Sequence, residues 1–283
     1  MQDVFFIDET LDKNLTHTYH LSIQAGLNGL SFCIIDPVTN KYIVLSHKSF
    51  EKNLPIEDIT LMFDEYIESN EFLNNKNYKS ARLIWLSGKN LFVPNELFLK
   101  DDLKKHFEFI HQLDELDEIH YNKLQHLDAY SVFAIPNLAA NLFAKHFKGI
   151  RFYNQQQVLL EKIISKSFLS KYRLTVYFQD DNIDIAITEA HKLLLINNFK
   201  FKSDADIVYY ILLLFDQFNL NNENCDLTLS GYVEKNSKVY LQLQKYVKHI
   251  KFDHLPESFN YSYTFDKIPH HRFSNLYNLL NCE

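Results

Sequence analysis

Apolar and polar residues alternate with a period of two where Leu21, Ile23 and Ala25 interleave with His20, Ser22 and Gln24, the mark of a strand with one inward face. Asn28-Gly29 then signals a tight hairpin turn, because both residue types accept positive φ. Leu30, Phe32 and Ile34 continue on one face of a second strand, Asp36 to Asn40 form another turn, and Tyr42 to Leu45 form a third strand. After Pro55 the period lengthens: Ile56, Ile59, Phe63, Tyr66 and Ile67 fall at helical spacing. A buried strand from Arg82 to Leu86 follows and stops at Ser87-Gly88.

The second half repeats this order. Tyr172-Arg173-Leu174-Thr175-Val176 echoes Tyr19-His20-Leu21-Ser22-Ile23, and Ile183, Ile185 and Ile187 alternate on the next strand after a turn at Gln179 to Asn182. Leu193 to Asn197 read as a third strand. Ser203 with Asp206 three positions later resembles a capping box, followed by Ile207, Ile211, Leu214 and Phe215 at helical spacing. Asp226 to Leu229 then make a strand that again ends in Ser-Gly, at Ser230-Gly231. Between the copies, Tyr130 to Ile135 read as a strand, Pro136-Asn137 open a helix that Gly149 ends, and Val158 to Phe168 read as a crossing helix. Asp114 to Glu118 is an acidic run that reads as a solvated helix or loop. Two copies of strand–strand–strand–helix–strand predict an α/β protein with an internal duplication and mixed sheets.

Composition changes the picture in three places. The 29 Lys+Arg against 36 Asp+Glu give a net charge of −7, which argues against nucleic acid or an anionic membrane surface as partner. Five glycines in 283 residues compare with about 20 at ordinary usage, so a glycine-rich phosphate cradle starts at a disadvantage. The three cysteines, Cys33, Cys225 and Cys282, form no C-x-x-C, and no apolar stretch reaches membrane-span length. With no basic n-region or long apolar segment at the N-terminus, the expectation is a cytoplasmic protein without membrane insertion.

The element order, with Ala134-Ile135-Pro136, Gly149-Ile150-Arg151-Phe152 and Leu174-Thr175-Val176 at its crossover, resembles the duplicated actin-like, ribonuclease-H-like fold of actin, sugar kinases and heat-shock ATPases. At residue level the chain is similar to an uncharacterised bacterial family with a degenerate version of that fold. The supporting pieces are Tyr19 to Gln24, Phe92-Val93-Pro94 with Leu97-Phe98, Leu229-Ser230-Gly231, and Pro269-His270 with Phe273. The resemblance implies two tandem ribonuclease-H-like domains, 1–168 with the crossing helix and 169–283, each with a mixed five-stranded sheet and flanking helices.

Active relatives place Asp-x-Gly at the end of the first strand of each domain, for Mg²⁺ and phosphate. Here the first copy reads Gln24-Ala25-Gly26 and the second Tyr177-Phe178-Gln179, while the adenosine turn is reduced to Ser230-Gly231-Tyr232. An amide carries no negative charge, and a Tyr crowds a backbone that must approach a purine. Gln24, Gly26, Asn28, Gly29, Gln179, Ser230 and Gly231 thus mark a vestigial nucleotide cleft, with no catalytic residue and no cofactor assigned.

Other chemistry is weaker. His270-His271, His249 with His254, and Glu118 with His120 lack the i, i+4 spacing that converges ligands on one metal, so no metal set is assigned. Ser87 and Ser230 lack a nucleophile elbow. Aromatic residues make up 15% of the chain, and Phe92, Pro94 and Phe98 lie outside the repeated blocks, which makes them the candidate surface for a protein partner. The reading favoured is a non-catalytic actin-like scaffold or protein-binding module. A divergent ATPase or kinase and a small-molecule binder are its rivals.

Overall fold

The computed structural model describes residues 3–75, 77–165 and 171–282. The strands are β1 (Val4–Ile7), β2 (His20–Gly26), β3 (Gly29–Asp36) and β4 (Lys41–Ser49), followed by α1 (Ile56–Ser69) and β5 (Ser80–Trp85). Then come β6 (Asn90–Pro94), α2 (Leu103–Glu108), β7 (Asp117–Lys123), β8 (Ala129–Pro136), α3 (Asn137–His146), β9 (Arg151–Asn154) and α4 (Gln155–Ile164). The rest comprises β10 (Tyr172–Phe178), β11 (Asn182–Glu189), β12 (Lys192–Lys200), α5 (Asp204–Gln217), β13 (Cys225–Gly231), α6 (Lys238–Leu243), β14 (Ile250–Phe252), β15 (Asn260–Tyr261) and α7 (Ser274–Asn278). No helix among the described residues is long and apolar enough to cross a membrane.

Packing divides the chain into two compact units. The first is Met1–Val158 with Glu257–Asp266 and Leu276–Glu283; the second is Leu159–Pro256 with Lys267–Asn275. The sequence boundary at 168/169 lies outside the described residues, and the division by packing falls earlier, inside α4. The C-terminal stretch also differs from the range 169–283, because two of its pieces pack in the first unit. The cause is local. β15 pairs in parallel with Lys41–Tyr42 of β4, and Tyr42 stacks on Tyr261 at 5.4 Å and meets Tyr277 edge-on at 5.1 Å. The buried Tyr42 hydroxyl donates to the Tyr277 carbonyl at 2.5 Å, satisfying a group that burial would otherwise penalise.

In the first unit the main sheet runs β1-β4-β3-β2-β5-β9, with β15 also on β4, so it has seven strands rather than five. The first three strands of the repeat are an antiparallel meander, and β2 pairs in parallel with β5 on its other edge. α1 lays Ile59, Phe63 and Ile67 on this sheet, and α3 adds Phe143, whose ring lies 5.3 Å from that of Phe63. The second unit has one five-stranded sheet, β12-β11-β10-β13-β14. Its order and strand senses match β4-β3-β2-β5-β9, so β2 and β10 hold the same topological place. α5 covers it with Ile207, Ile211, Leu214 and Phe215, and Asp206 accepts the Ser203 N–H at 3.0 Å as the capping box requires.

The stretch between β5 and α3 forms a separate three-stranded antiparallel sheet, β6-β8-β7. Part of the acidic run read as helix or loop is strand here: β7 begins at Asp117, and Lys89 Nζ bridges Asp114 and Asp117 at 2.7 Å each. One cation pairs with both carboxylates and halves their net charge, which eases the entry of an acidic segment into a sheet. α2 caps it, burying Leu103 and Phe107 against Val93, Val132 and Ala134.

Asp8 is a buried carboxylate of the first unit. Burial pushes its carboxyl up, but Lys41, Ser262 and Thr10 together hold it well below the usual carboxylate range. Its folded pKa is depressed, so its contribution is complete above the unfolded value near ~3.9 and is lost as pH falls through the folded one. Asp8→Asn should therefore lower urea stability at pH 7 and differ less from the parent at pH 3. A gap that stays constant down to pH 3 would show that the charge is not its source.

Candidate functional site

The residues singled out from the sequence gather at strand ends within each unit. In the first unit, β2 carries Gln24, which is buried and lies between Ser31 of β3 and Ile84 of β5. The hairpin differs from the sequence expectation: Gly26 pairs with Gly29, so the central residues are Leu27 and Asn28. Asn28 does not adopt positive φ. Gly29 is needed for another reason. At φ +150° an added Cβ would stand 2.3 Å from the Lys48 carbonyl oxygen on β4. At Gly26 it would meet the Leu86 Cβ at 2.8 Å.

The Ser87-Gly88 turn after β5 is clamped by amides. Gln155 donates from Nε2 to the Ser87 carbonyl at 2.8 Å and accepts the Ser87 N–H at 3.0 Å, while Asn154 Nδ2 donates to the same carbonyl at 2.9 Å. Asn154 Oδ1 also accepts the Gln156 N–H at 2.9 Å, an N-cap interaction that starts α4. Gln156 Oε1 accepts from Asn90, which takes the Ser131 hydroxyl proton at 2.8 Å, and Gln157 Oε1 accepts from Asn122 at 2.9 Å. The helix therefore begins at Gln155 rather than Val158, and the run Asn154-Gln155-Gln156-Gln157 is buried throughout. Four consecutive amides before an apolar helical stretch were the available signal. The pattern of apolar periods passes over them.

In the second unit, Gln179 closes the turn after β10. Its Nε2 donates to Asp184 Oδ2 at 2.8 Å, and Asn198 Nδ2 donates to Asp184 Oδ1 at 2.8 Å. Asp184, missed by the sequence reading, is a fully buried carboxylate two residues beyond the turn. β13 ends at Gly231 with φ +78°, where a Cβ would stand 2.2 Å from the Phe178 carbonyl oxygen. Tyr232 N–H donates to that same oxygen at 3.0 Å, so the glycine serves a close approach of β13 to β10 within the sheet.

Ser230 is fully buried beside it. Its hydroxyl lies 2.5 Å from Ser274 Oγ, 3.2 Å from Asp253 Oδ2 and 3.3 Å from the His271 carbonyl. Asp253 in turn is ion-paired with Lys162 of α4, whose side chain is 2% exposed. His271 Nε2 donates to the Val233 carbonyl at 2.7 Å, and burial lowers the pKa of this ring against the opposing effects of that bond and Asp253. The imidazole is thus oriented by Val233 and makes no hydrogen bond to the Ser230 hydroxyl.

The proposed partner residues are mixed. Pro94 is exposed and Phe92 half-buried. Phe98 is also half-buried, stacking on Tyr130 at 3.7 Å and packing with Tyr121 at 5.2 Å, so its ring belongs to the small sheet's own core. The apolar side chains turned to solvent are its neighbours Leu97 and Leu99, with Phe109 after α2 at 92% exposure.

Removing one partner of a buried ion pair leaves a bare charge, at a cost of about 3–5 kcal/mol, whereas replacing both with apolar groups is often neutral. Lys162→Met should destabilise the protein by about 3 kcal/mol in urea melts. Adding Asp253→Leu should recover at least half of that. A double variant as weak as the sum of the two singles would remove the pair from this account.

Three solved structures share this architecture. A Bacteroides thetaiotaomicron protein with an actin-like ATPase fold and unknown function has a TM-score of 0.81 and 24% identity, over 97% of this chain and 100% of that one. A structure of the PilM–PilN type IV pilus biogenesis complex gives 0.57 and 8% over 92% and 97%. The ethanolamine utilization protein EutJ from Carboxydothermus hydrogenoformans gives 0.51 and 8% over 98% and 93%. A search of curated proteins finds no match. The fold is the actin-like ATPase fold, as the element order implies. The model of the protein family of unknown function DUF3822 matches residues 8–250, and the chain belongs to that family.

Proposed function

We propose that the protein is a non-catalytic actin-like scaffold that binds another protein, and that its strand-end turns have become structural. The observation that carries this reading is the commitment of those turns to internal bonds. The Ser87 turn is tied by Asn154 and Gln155, the Ser230 hydroxyl lies among Asp253, Ser274 and His271, and Gln179 donates to Asp184. Stabilising a transferring phosphoryl group calls for free backbone N–H donors and a carboxylate open to Mg²⁺. At the matching places stand a buried amide, Gln24, and a glycine packed against Phe178. That one structure of the same fold is a PilM–PilN complex supports a binding role by analogy of fold only.

The partner surface we propose is the outer part of the three-stranded sheet. Leu97 and Leu99 are about 60% exposed and Phe109 is 92% exposed, all within a short stretch around α2. Exposed aromatic and aliphatic side chains on a rigid support are the material of interface anchors.

Two measurements test the proposal. Millimolar ATP with Mg²⁺ should leave the melting temperature unchanged, whereas a ligand at a hundredfold its Kd adds about 2.7 kcal/mol and several degrees. In capture from the native cell, Leu99→Glu with Phe109→Glu should reduce partner recovery tenfold or more while the melting temperature holds. A clear ATP shift that is lost on Gly231→Ala would support nucleotide binding instead, and full recovery by the folded double variant would exclude this surface.

A further inference from the structure

A second cluster of chemically active side chains lies on the helices of the first unit, away from every strand-end turn. Asp64 and Glu68 stand one turn apart on α1, and His146 is the last residue of α3. One ligand atom from each of the three lies within 4.8 Å of the others. His146 is 2% exposed, and its Nε2 reaches Asp64 Oδ1 at 2.5 Å, while Asp64 is half-buried and Glu68 exposed. The set therefore has a rigid imidazole on the inner side and a carboxylate open to water on the outer.

The electrostatics of the place call for a cation. Glu68 sits in the last turn of α1, where the helix dipole is negative, and that turn holds no basic residue. Two carboxylates at i, i+4 repel each other there. Among the described residues, no Lys or Arg pairs with either carboxylate. The C-terminal end of α3, whose last turn carries Lys145 beside His146, brings a second negative dipole end to the same spot.

We propose that Asp64, Glu68 and His146 form a binding site for a divalent first-row transition cation, with Zn²⁺ or Co²⁺ bound more tightly than Mg²⁺. One imidazole nitrogen and two carboxylate oxygens are donors such ions take, with water in the remaining position. Ligand atoms about 2.1 Å from a tetrahedral metal lie about 3.4 Å apart, so binding requires Asp64 and His146 to separate by less than about 1 Å. The exposed Glu68 closes by a change of rotamer. To ligate, His146 Nε2 gives up its proton and Nδ1 carries the ring's N–H. That nitrogen is buried and has no hydrogen-bond partner. The ring thus lacks the outer support that is worth about 10–100-fold in affinity, and the site belongs to the micromolar rather than the nanomolar class. The bound ion would pin α1 to α3.

The test uses the full chain without an affinity tag, titrated with Co²⁺ and Zn²⁺ by absorption and calorimetry, with circular dichroism to confirm folding. The expected result is saturable 1:1 binding, Co²⁺ d–d bands of a four- or five-coordinate site, and no competition from millimolar Mg²⁺. Glu68→Gln, at an exposed position that leaves the fold intact, should weaken binding by about tenfold, and His146→Gln should do so by more. Absence of 1:1 binding would overturn the proposal. So would binding that Glu68→Gln leaves unchanged, since it would then arise from other histidines of the chain.

Discussion

The structure rests on two central strands that have no free edge. β2 is paired along both sides, antiparallel to β3 and parallel to β5, and β10 is placed in the same way between β11 and β13. An unmet buried donor or acceptor costs about 1–3 kcal/mol, so the polar side chains buried where these strands close are matched inside the protein, while mid-strand the small hydroxyls of Ser22 on β2 and Thr175 on β10 are left without a partner. That requirement explains what stands at the strand ends. Gln179 and Asn198 supply the two N–H donors of buried Asp184. Ser230 is met by Ser274 and Asp253, and Asp253 by Lys162. The consecutive amides Asn154 to Gln157 do the same for the Ser87 turn and for Asn90 and Asn122 of the small sheet.

The scarcity of glycine has its meaning here too. Of the five glycines, Gly29 and Gly231 stand where a side chain cannot. At Gly29 and Gly231 the obstacle is a carbonyl oxygen of the adjacent strand, of Lys48 and Phe178. Both positions would be read as phosphate or purine contacts on fold grounds alone. The close approach is between neighbouring strands, so these glycines follow from sheet packing and would be kept in a protein that never meets a nucleotide.

Much of the fold was legible because it is written in apolar periods. The alternation at Leu21, Ile23 and Ala25, the helical spacing of Ile59, Phe63 and Ile67, and the Ser203–Asp206 box each report local physics that the tertiary structure keeps. What could not be read depended on partners distant in sequence. β15 becomes a strand only because β4 offers it an edge over 200 residues away. Asp117 enters β7 with Lys89 paired to it and to Asp114. The seven-stranded sheet follows from β1 and β15 joining β4, and neither has a period long enough to announce itself. Of the candidate site, Gln24, Gly26, Ser230 and Gly231 were singled out by their place at strand ends, whereas Asp184, Lys162 and Asp253 escaped notice as single polar residues in apolar surroundings. Phe98 illustrates the opposite error, since an aromatic outside the repeated blocks can still be core for a sheet the repeat does not contain.

Fold and chemistry are separable in this chain because different residues specify them. The topology is fixed by inward faces such as Leu174, Val176, Ile185 and Leu229, all buried without measurable exposure, and any set of apolar side chains of similar volume maintains it. A nucleotide site depends instead on a few donors, one carboxylate and an open turn, each lost by a single substitution. A likeness of 0.81 in TM-score at 24% identity is therefore a statement about the fold, and it carries no information about the turns. Asp184 shows the difference at one residue. It is an acid close to where an actin-like site would want one, yet each of its oxygens accepts an amide N–H. To serve a metal it would have to exchange two good hydrogen bonds in a dry interior for ligation, and the buried Gln179 would then lose the acceptor that its own burial requires.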